Sequence, residues 1–307
     1  MDPGNEAVLW PHEGAEIYQT FDRVFDCQTH GWANVQSVHL NLPFRGEDEF
    51  ARLHAAVRIV LPLLPALAAS SPILAGKYSG WMDTRMMLYA EHCRAMKSLT
   101  GKLIPEPVFD EASYRREILD PIARDMRSHD PQGVMQADFL NARGAIARFD
   151  RGSIELRVMD VQEYPGADVA ICAAAASLVK ALCQERWSSL QQQQQAPTAI
   201  LRQTLDETAV MAERAIVTDP QLLRHFGIEQ QSISAGRLWT TLLEELRRDD
   251  AVLDDLFAPL QIILQSGTLA TRICTALGKS FSPAGLSDVY REVGESLQLW
   301  GSFQPSR

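Results

Sequence analysis

Two short segments carry polar side chains where an ordinary sheet does not need them. In Ser37-Val38-His39-Leu40-Asn41-Leu42, alternation by face puts Val38, Leu40 and Leu42 on one side and Ser37, His39 and Asn41 on the other. In Ile154-Glu155-Leu156-Arg157-Val158 the same alternation groups Glu155 with Arg157, opposite Ile154, Leu156 and Val158. A carboxylate oxygen and a neutral imidazole can ligate a divalent cation, and guanidinium forks match phosphate oxygens bidentately. The chemistry on offer is a site for a polyanion and its metal. The plainer alternative is a solvent-facing sheet surface with cross-strand ion pairs, and spacing alone permits both.

The elements that must position these residues can be read from the same chain. Gly144 to Phe149 and Ser153 to Asp160 read as a hairpin around Asp150-Arg151-Gly152. A turn at Arg151-Gly152 sets Arg148 across from Glu155 and Arg143 across from Asp160, and a one-residue bulge changes those partners. Upstream, Glu13 to Asp26 reads as a short helix, followed by a loop through Gly31 and a strand from Val35 to Leu42. Glu47 to Ala69 has helical spacing through Phe50, Leu53, His54 and Val57, with Pro62 and Pro65 expected to kink or end it. The Ser-, Gly- and Pro-rich stretch from Ser70 to Arg85 suits a loop that carries function. Asp83 to Met96 and Glu111 to Ala123 are further helix candidates.

From Ala167 onward the pattern is helical. Ala167 to Leu190 reads as one long Ala-rich helix closing in the glutamine run Gln191 to Gln195, an exposed and pliable connection. Leu201 to Trp300 is almost wholly helical. The expected class is α+β, with a catalytic sheet region at 1–165 and a helical C-terminal region at 166–307 packed on it.

Composition sets outer limits. Hydrophobic residues make up 46% and charged residues 22% of the 307 positions, ordinary for a globular chain. The formal charge of -10 argues against nucleic acid or an anionic membrane surface as partner. The five cysteines, widely spaced and without a CxxC pair, read as free thiols in a reducing compartment. The N-terminal MDPGNEAVLWPHEG lacks the basic and apolar regions of a signal peptide. The longest apolar run, Ile59 to Ala69, is interrupted by two prolines and falls short of the roughly 20 residues a membrane helix needs. A soluble cytoplasmic protein is expected. No Gly-x-x-x-x-Gly-Lys-Ser/Thr loop occurs, so any nucleotide site is not of the P-loop kind. Ser70-Ser71 lacks the Gly-x-Ser-x-Gly context of a nucleophile, and His54 and His92 lie on helical patterns as packing residues.

Three segments, taken together, carry a family resemblance. NVQSVHLNLPF (34–44), LPALAASSPILAGKYSGWMDTR (64–85) and NARGAIARFDRGSIELRVMDVQE (141–163) resemble, in order and approximate spacing, glutamate–cysteine ligases of the carboxylate–amine ligase group. The helical tail resembles the family only loosely. The resemblance implies a glutamine synthetase-like catalytic fold, an antiparallel sheet curved around ATP and magnesium with helices outside. It implies that ATP phosphorylates the side-chain carboxylate of glutamate and that the amine of cysteine then displaces phosphate, forming γ-glutamylcysteine on the route to glutathione. His39 and Glu155 match the family's metal ligands, and Arg157 matches the arginine on the transferring phosphoryl group. Asn41 is expected near the nucleotide, and Arg85 at the carboxylate of substrate glutamate. Arg148 and Arg143 match further anion-binding arginines, Arg148 on the catalytic side and Arg143 on the substrate side.

The family normally opens with a strand of clustered glutamates, and no such strand precedes Asn34. The expectation is therefore a member lacking its N-terminal part. It is either an active ligase whose missing strand lies upstream or comes from another subunit, or a non-catalytic remnant. The acceptor is cysteine or another amine. Expected partners are small-molecule substrates, with neither nucleic acid nor membrane, and a homodimer formed through the helical tail is the assembly to test for.

Overall fold

Period-two alternation in the front half and long apolar helices in the back half produce a mixed α+β architecture, mostly helical with small antiparallel sheets. A computed structural model describes residues 8–9, 11–27 and 35–305. The loop expected through Gly31, and the first residues of the Asn34 motif, lie outside the described residues.

The principal sheet has three strands in the order β1-β5-β4: β1 is Ser37–Pro43, β4 is Ala145–Arg148 and β5 is Ser153–Asp160. Both pairings are antiparallel. Two-residue strands form minor pairs, β2 (Ile73–Leu74) with β3 (Lys77–Tyr78) and β6 (Ile216–Val217) with β7 (Ile233–Ser234). The last pair sits in the region whose pattern reads as helical throughout, where two-residue strands leave no detectable alternation.

The longer helices are α1 (Ala15–Phe25), α2 (Gly46–Val60), α3 (Thr84–Glu91), α4 (Pro165–Cys183), α5 (Thr198–Met211), α6 (Ala235–Leu246), α7 (Phe257–Ser266), α8 (Leu269–Leu277) and α9 (Pro283–Leu299). As the prolines require, α2 gives way to a 3₁₀ turn at Leu61–Leu63 and restarts at Pro65–Ala68. The chain from Glu111 runs helically to Met126 through a π turn at Arg115–Leu119.

Leu156 and Ile154, completely buried on β5, face a core that α2 and α4 complete. Leu40 and Leu42 of β1 pack against the same core. That core is one contiguous cluster drawing residues from Phe21 to Ile263, so it crosses position 165 without a break. Arg58, with no solvent exposure, ties the halves by donating to the carbonyls of Pro105 (2.9 Å) and Ala196 (3.2 Å) and to Thr198 Oγ1 (2.9 Å).

Helix α4 is long and apolar enough to cross a membrane, but it packs on α2, α7 and β1 as a core helix. It stops at Cys183, short of the expected Leu190. Glu185 takes a positive φ of 56°, and a new helix, Leu190–Gln194, starts from a capping box in which Ser189 and Gln192 satisfy each other's backbone. The glutamine run is therefore not a pliable connection. Gln193 is 1% exposed and donates to the carbonyls of Leu182 and Ser188, at 2.8 and 2.9 Å.

His54 is enclosed in the core, stacked on Phe50 at 5.2 Å and edge-on to Tyr114. Burial, reinforced by the nearby charge of Arg58, pushes its imidazole down to about 3. The unfolded chain then binds a proton that the folded chain refuses. The contribution of His54 is intact above about pH 6.5 and diminishes as pH falls toward 3. At pH 5 the loss is about 2 kcal/mol. Urea unfolding of wild type and His54→Leu at pH 7 and pH 5 should show the wild type losing that much more than the variant. Parallel losses would refute the assignment.

Candidate functional site

The site is assembled on the β1–β5 pair. Asn41 pairs with Glu155 and Leu40 with Leu156, but Val38 pairs with Met159. Arg157 and Val158 thus lie opposite the single residue His39, a bulge in β5. Past the bulge, Asp160 pairs with Ser37. The expected polar face of β1 is observed: His39 and Asn41 are exposed, while Leu40 and Leu42 are partly buried against the core.

The two expected ligands meet directly. His39 Nδ1 lies 3.1 Å from Glu155 Oε1, and the same oxygen accepts from Arg157 Nε at 2.8 Å. Ser37 Oγ is 2.9 Å from the other ring nitrogen of His39. Glu155 can only accept, so Nδ1 carries a proton, and the Ser37 hydroxyl partners the other ring nitrogen. The hydrogen bond from His39, helped by the charge of Arg157 and opposed by partial burial, holds the Glu155 carboxyl down at about 2. The stabilisation from this carboxylate is present above its unfolded value of 4.5 and is lost as pH falls toward 2. Among the described residues, no group of three or more His, Cys, Asp or Glu side chains is placed to hold a metal ion.

Asn41 sits beside this group, its Oδ1 3.4 Å from the hydroxyl of Ser153. Arg157 also donates from Nη1 to the Asn141 carbonyl at 3.4 Å. Beyond Arg157 opens a cavity of about 460 Å³, lined among others by Tyr18, Phe21, Tyr89, His92 and Phe139.

The hairpin register differs from the expected one. Arg148 pairs with Ser153, and Ile146 is the residue opposite Glu155. The connection is four residues long, Phe149 to Gly152, rather than a two-residue turn. Phe149 leaves the ladder to pack on Phe50 at 4.9 Å and Tyr114 at 5.4 Å, and Gly152 supplies the positive φ of 60° that closes the loop. Arg148 is held by Asp150 at 3.0 Å, at the rim of the sheet.

Arg143 is not across from Asp160. It precedes β4, where the backbone of Gly144 approaches so closely that a Cβ there would lie 2.7 Å from Val158 Cγ1. The Arg143 guanidinium, 3% exposed, binds both carboxylate oxygens of Glu106, at 2.6 and 2.7 Å, and the carbonyls of Ser98 and Leu99. It does not join the His39–Glu155–Arg157 group.

Arg85 is 6% exposed and paired through Nε with Asp160 Oδ1. Asp83 beside it is completely buried, its carboxyl pushed well up by burial and by the charge of Asp160. Asp160, Asp83 and Tyr89 were not picked out as site residues by sequence reasoning. The available signal was Arg85 and Tyr89 at i and i+4 on one helix, which places both on one face.

Comparison with known proteins gives the family. A curated relative, an uncharacterized protein of Archaeoglobus fulgidus, is 37% identical over 180 residues, covering 59% of this chain and 48% of the relative. The chain spans about half the length of the curated relative it matches. The model for glutamate-cysteine ligase family 2 matches residues 1–292, nearly the whole chain and all three segments on which the site is built. The chain belongs to glutamate-cysteine ligase family 2, a family of ATP-dependent carboxylate–amine ligases.

Proposed function

We propose that this chain carries the nucleotide- and glutamate-binding face of a ligase that joins the side-chain carboxylate of glutamate to an amine. Cysteine is the first acceptor to test, and γ-glutamylcysteine is its product. The observation that supports the reading is the meeting of His39, at 3.1 Å, and Arg157, at 2.8 Å, on one carboxylate oxygen of Glu155 across β1 and β5. Such a sheet, with helices packed behind it, is also what a glutamine synthetase-like catalytic fold requires.

The residues fit a magnesium ion accompanying ATP. Glu155 is an anion throughout the neutral range. His39 can release its Nδ1 proton and take one on Nε2, which Ser37 Oγ is placed to accept. Phosphate oxygens and water would complete the six positions that magnesium demands. When bound, the ion neutralises phosphate charge. Arg157 then holds the γ-phosphoryl oxygens as glutamate's carboxylate oxygen displaces ADP. The acceptor nitrogen next attacks the carbonyl carbon of the γ-glutamyl phosphate, phosphate leaves, and the nitrogen loses its proton. Little covalent help is needed from protein, only positioning and charge neutralisation. In this reading Asn41 lies toward the nucleotide and Arg148 assists from the rim. Arg85 and Arg143, both buried against carboxylates, serve as framework.

The test is phosphate release from ATP and magnesium, with and without glutamate, then with cysteine exchanged for other amines. ATP turnover indifferent to glutamate, or no turnover at all, would count against the proposal. Glu155→Gln should raise the magnesium concentration needed for half-maximal turnover by at least the roughly 10- to 100-fold that loss of even an outer metal partner costs. An unchanged magnesium titration in that variant would remove Glu155 from the site.

A further inference from the structure

We infer that Asp160 and Arg85 are positioning residues for Arg157, together locking the β5 bulge so that its guanidinium is delivered to Glu155. The inference rests on the reading of Arg157 as the phosphoryl-binding group. A bulge disrupts its local ladder, so something outside that ladder must hold its conformation. On one side the Arg157 amide donates to the Gly144 carbonyl at 2.9 Å. On the other, the Arg157 carbonyl accepts from Arg85 Nη1 at 3.4 Å.

Arg85 is itself fixed. Its Nε binds Asp160 Oδ1, and its backbone amide donates to Ser71 Oγ at 3.1 Å. Asp160 Oδ2 accepts from the Ser70 amide at 2.9 Å and from Ser71 Oγ at 2.8 Å. One carboxylate, 2% exposed, thereby joins the end of β5, the Ser70-Ser71 loop and the start of α3. One turn further along α3, Tyr89 lines the same cavity as Arg157. Helix α3 therefore holds the Arg157 carbonyl through Arg85 and contributes Tyr89 to the cavity that Arg157 lines. Asp160 sets where that helix sits. With Arg85 6% exposed and Asp160 less so, the pair acts through Arg157 rather than on a substrate.

Two readouts separate this from a merely structural role. In the full chain labelled with [15N]arginine, the Arg157 Nε–Hε resonance is assigned by its disappearance in Arg157→Lys. It should move or broaden in Asp160→Asn and in Arg85→Lys. In Asp160→Asn, kcat for glutamate-dependent phosphate release should fall about 100-fold, the cost of a displacement near 1 Å, with both KM values within about threefold. Should Asp160→Asn fail to fold, Ser71→Ala removes one bond to Asp160 Oδ2 and the bond from the Arg85 amide, leaves the Arg85–Asp160 pair in place, and should shift the resonance and kcat in the same direction by less. An unmoved Arg157 resonance in the folded variants overturns the inference. So does a KM for glutamate raised about tenfold or more at constant kcat, because Arg85 would then be contacting substrate itself. A wild-type chain without glutamate-dependent turnover would defeat the ligase reading alone, since the resonance still decides whether the clamp exists.

Discussion

Arg157→Ala is expected to lower glutamate-dependent phosphate release by on the order of 10³-fold, about 4 kcal/mol of transition-state stabilisation, while the protein stays folded. Charge accumulates on the transferring phosphoryl oxygens of such a reaction, and among the described residues the guanidinium bonded to Glu155 is that of Arg157. Arg148 cannot substitute readily, because Asp150 holds it at the rim with two bonds of 3.1 and 3.0 Å. The fold should survive because the Arg157 side chain is 22% exposed and Glu155 keeps its bond to His39. Steady-state kinetics should place the loss mainly in kcat, as for an interaction made chiefly in the transition state. Turnover near the wild-type rate would remove Arg157 from the reaction. The same loss accompanied by unfolding would instead make it a structural residue.

The largest effect on stability is expected from Glu163→Ala. Glu163 and Arg272 form an ion pair at 2.7 Å in which the side chains are 0% and 1% exposed. Glu163 lies three residues past the end of β5, and Arg272 lies on α8. The same carboxylate oxygen accepts from the Phe303 amide at 3.1 Å, while the Phe303 carbonyl accepts from Arg272. Removing the carboxylate strands a buried guanidinium and a backbone amide, a change that costs roughly 3–5 kcal/mol. Replacing both members, as Glu163→Leu with Arg272→Met, should recover part of this. Recovery should be incomplete because both backbone groups of Phe303 still lose their partners. Urea titration with tryptophan fluorescence measures both, and a single-variant cost under about 1 kcal/mol would place this pair with exposed ones in energetic terms.

The local features of the site were readable in the sequence because they have local causes. Alternation at Ser37–Leu42 follows from the two-residue repeat of a strand, and His39 and Asn41 emerge on its exposed face as that repeat requires. The helix break at Pro62 and Pro65 follows from the missing amide and the ring clash. The hairpin was placed correctly but with the wrong partner for Arg148, because the stability of Phe149 in an aromatic cluster with Phe50 and Tyr114 outweighs a tighter turn. Those partners lie far off in the chain, outside any local turn rule. The glutamine run misled for a similar reason: its polarity suggests solvent, yet Gln193 meets buried carbonyls that only packing supplies.

By itself, the sequence determined which residue types stand on which face of β1, and through three ordered segments it determined the family. Tertiary structure decided which arginine stands beside Glu155. Arg143 precedes the hairpin and Arg157 lies within its second strand, yet Glu106, 37 positions upstream, captures the first, whereas the second bonds Glu155 beside the β5 bulge. Side-chain alternation is a property of a few consecutive residues. The partner that neutralises a buried charge is chosen by where distant segments pack, and no local periodicity records that.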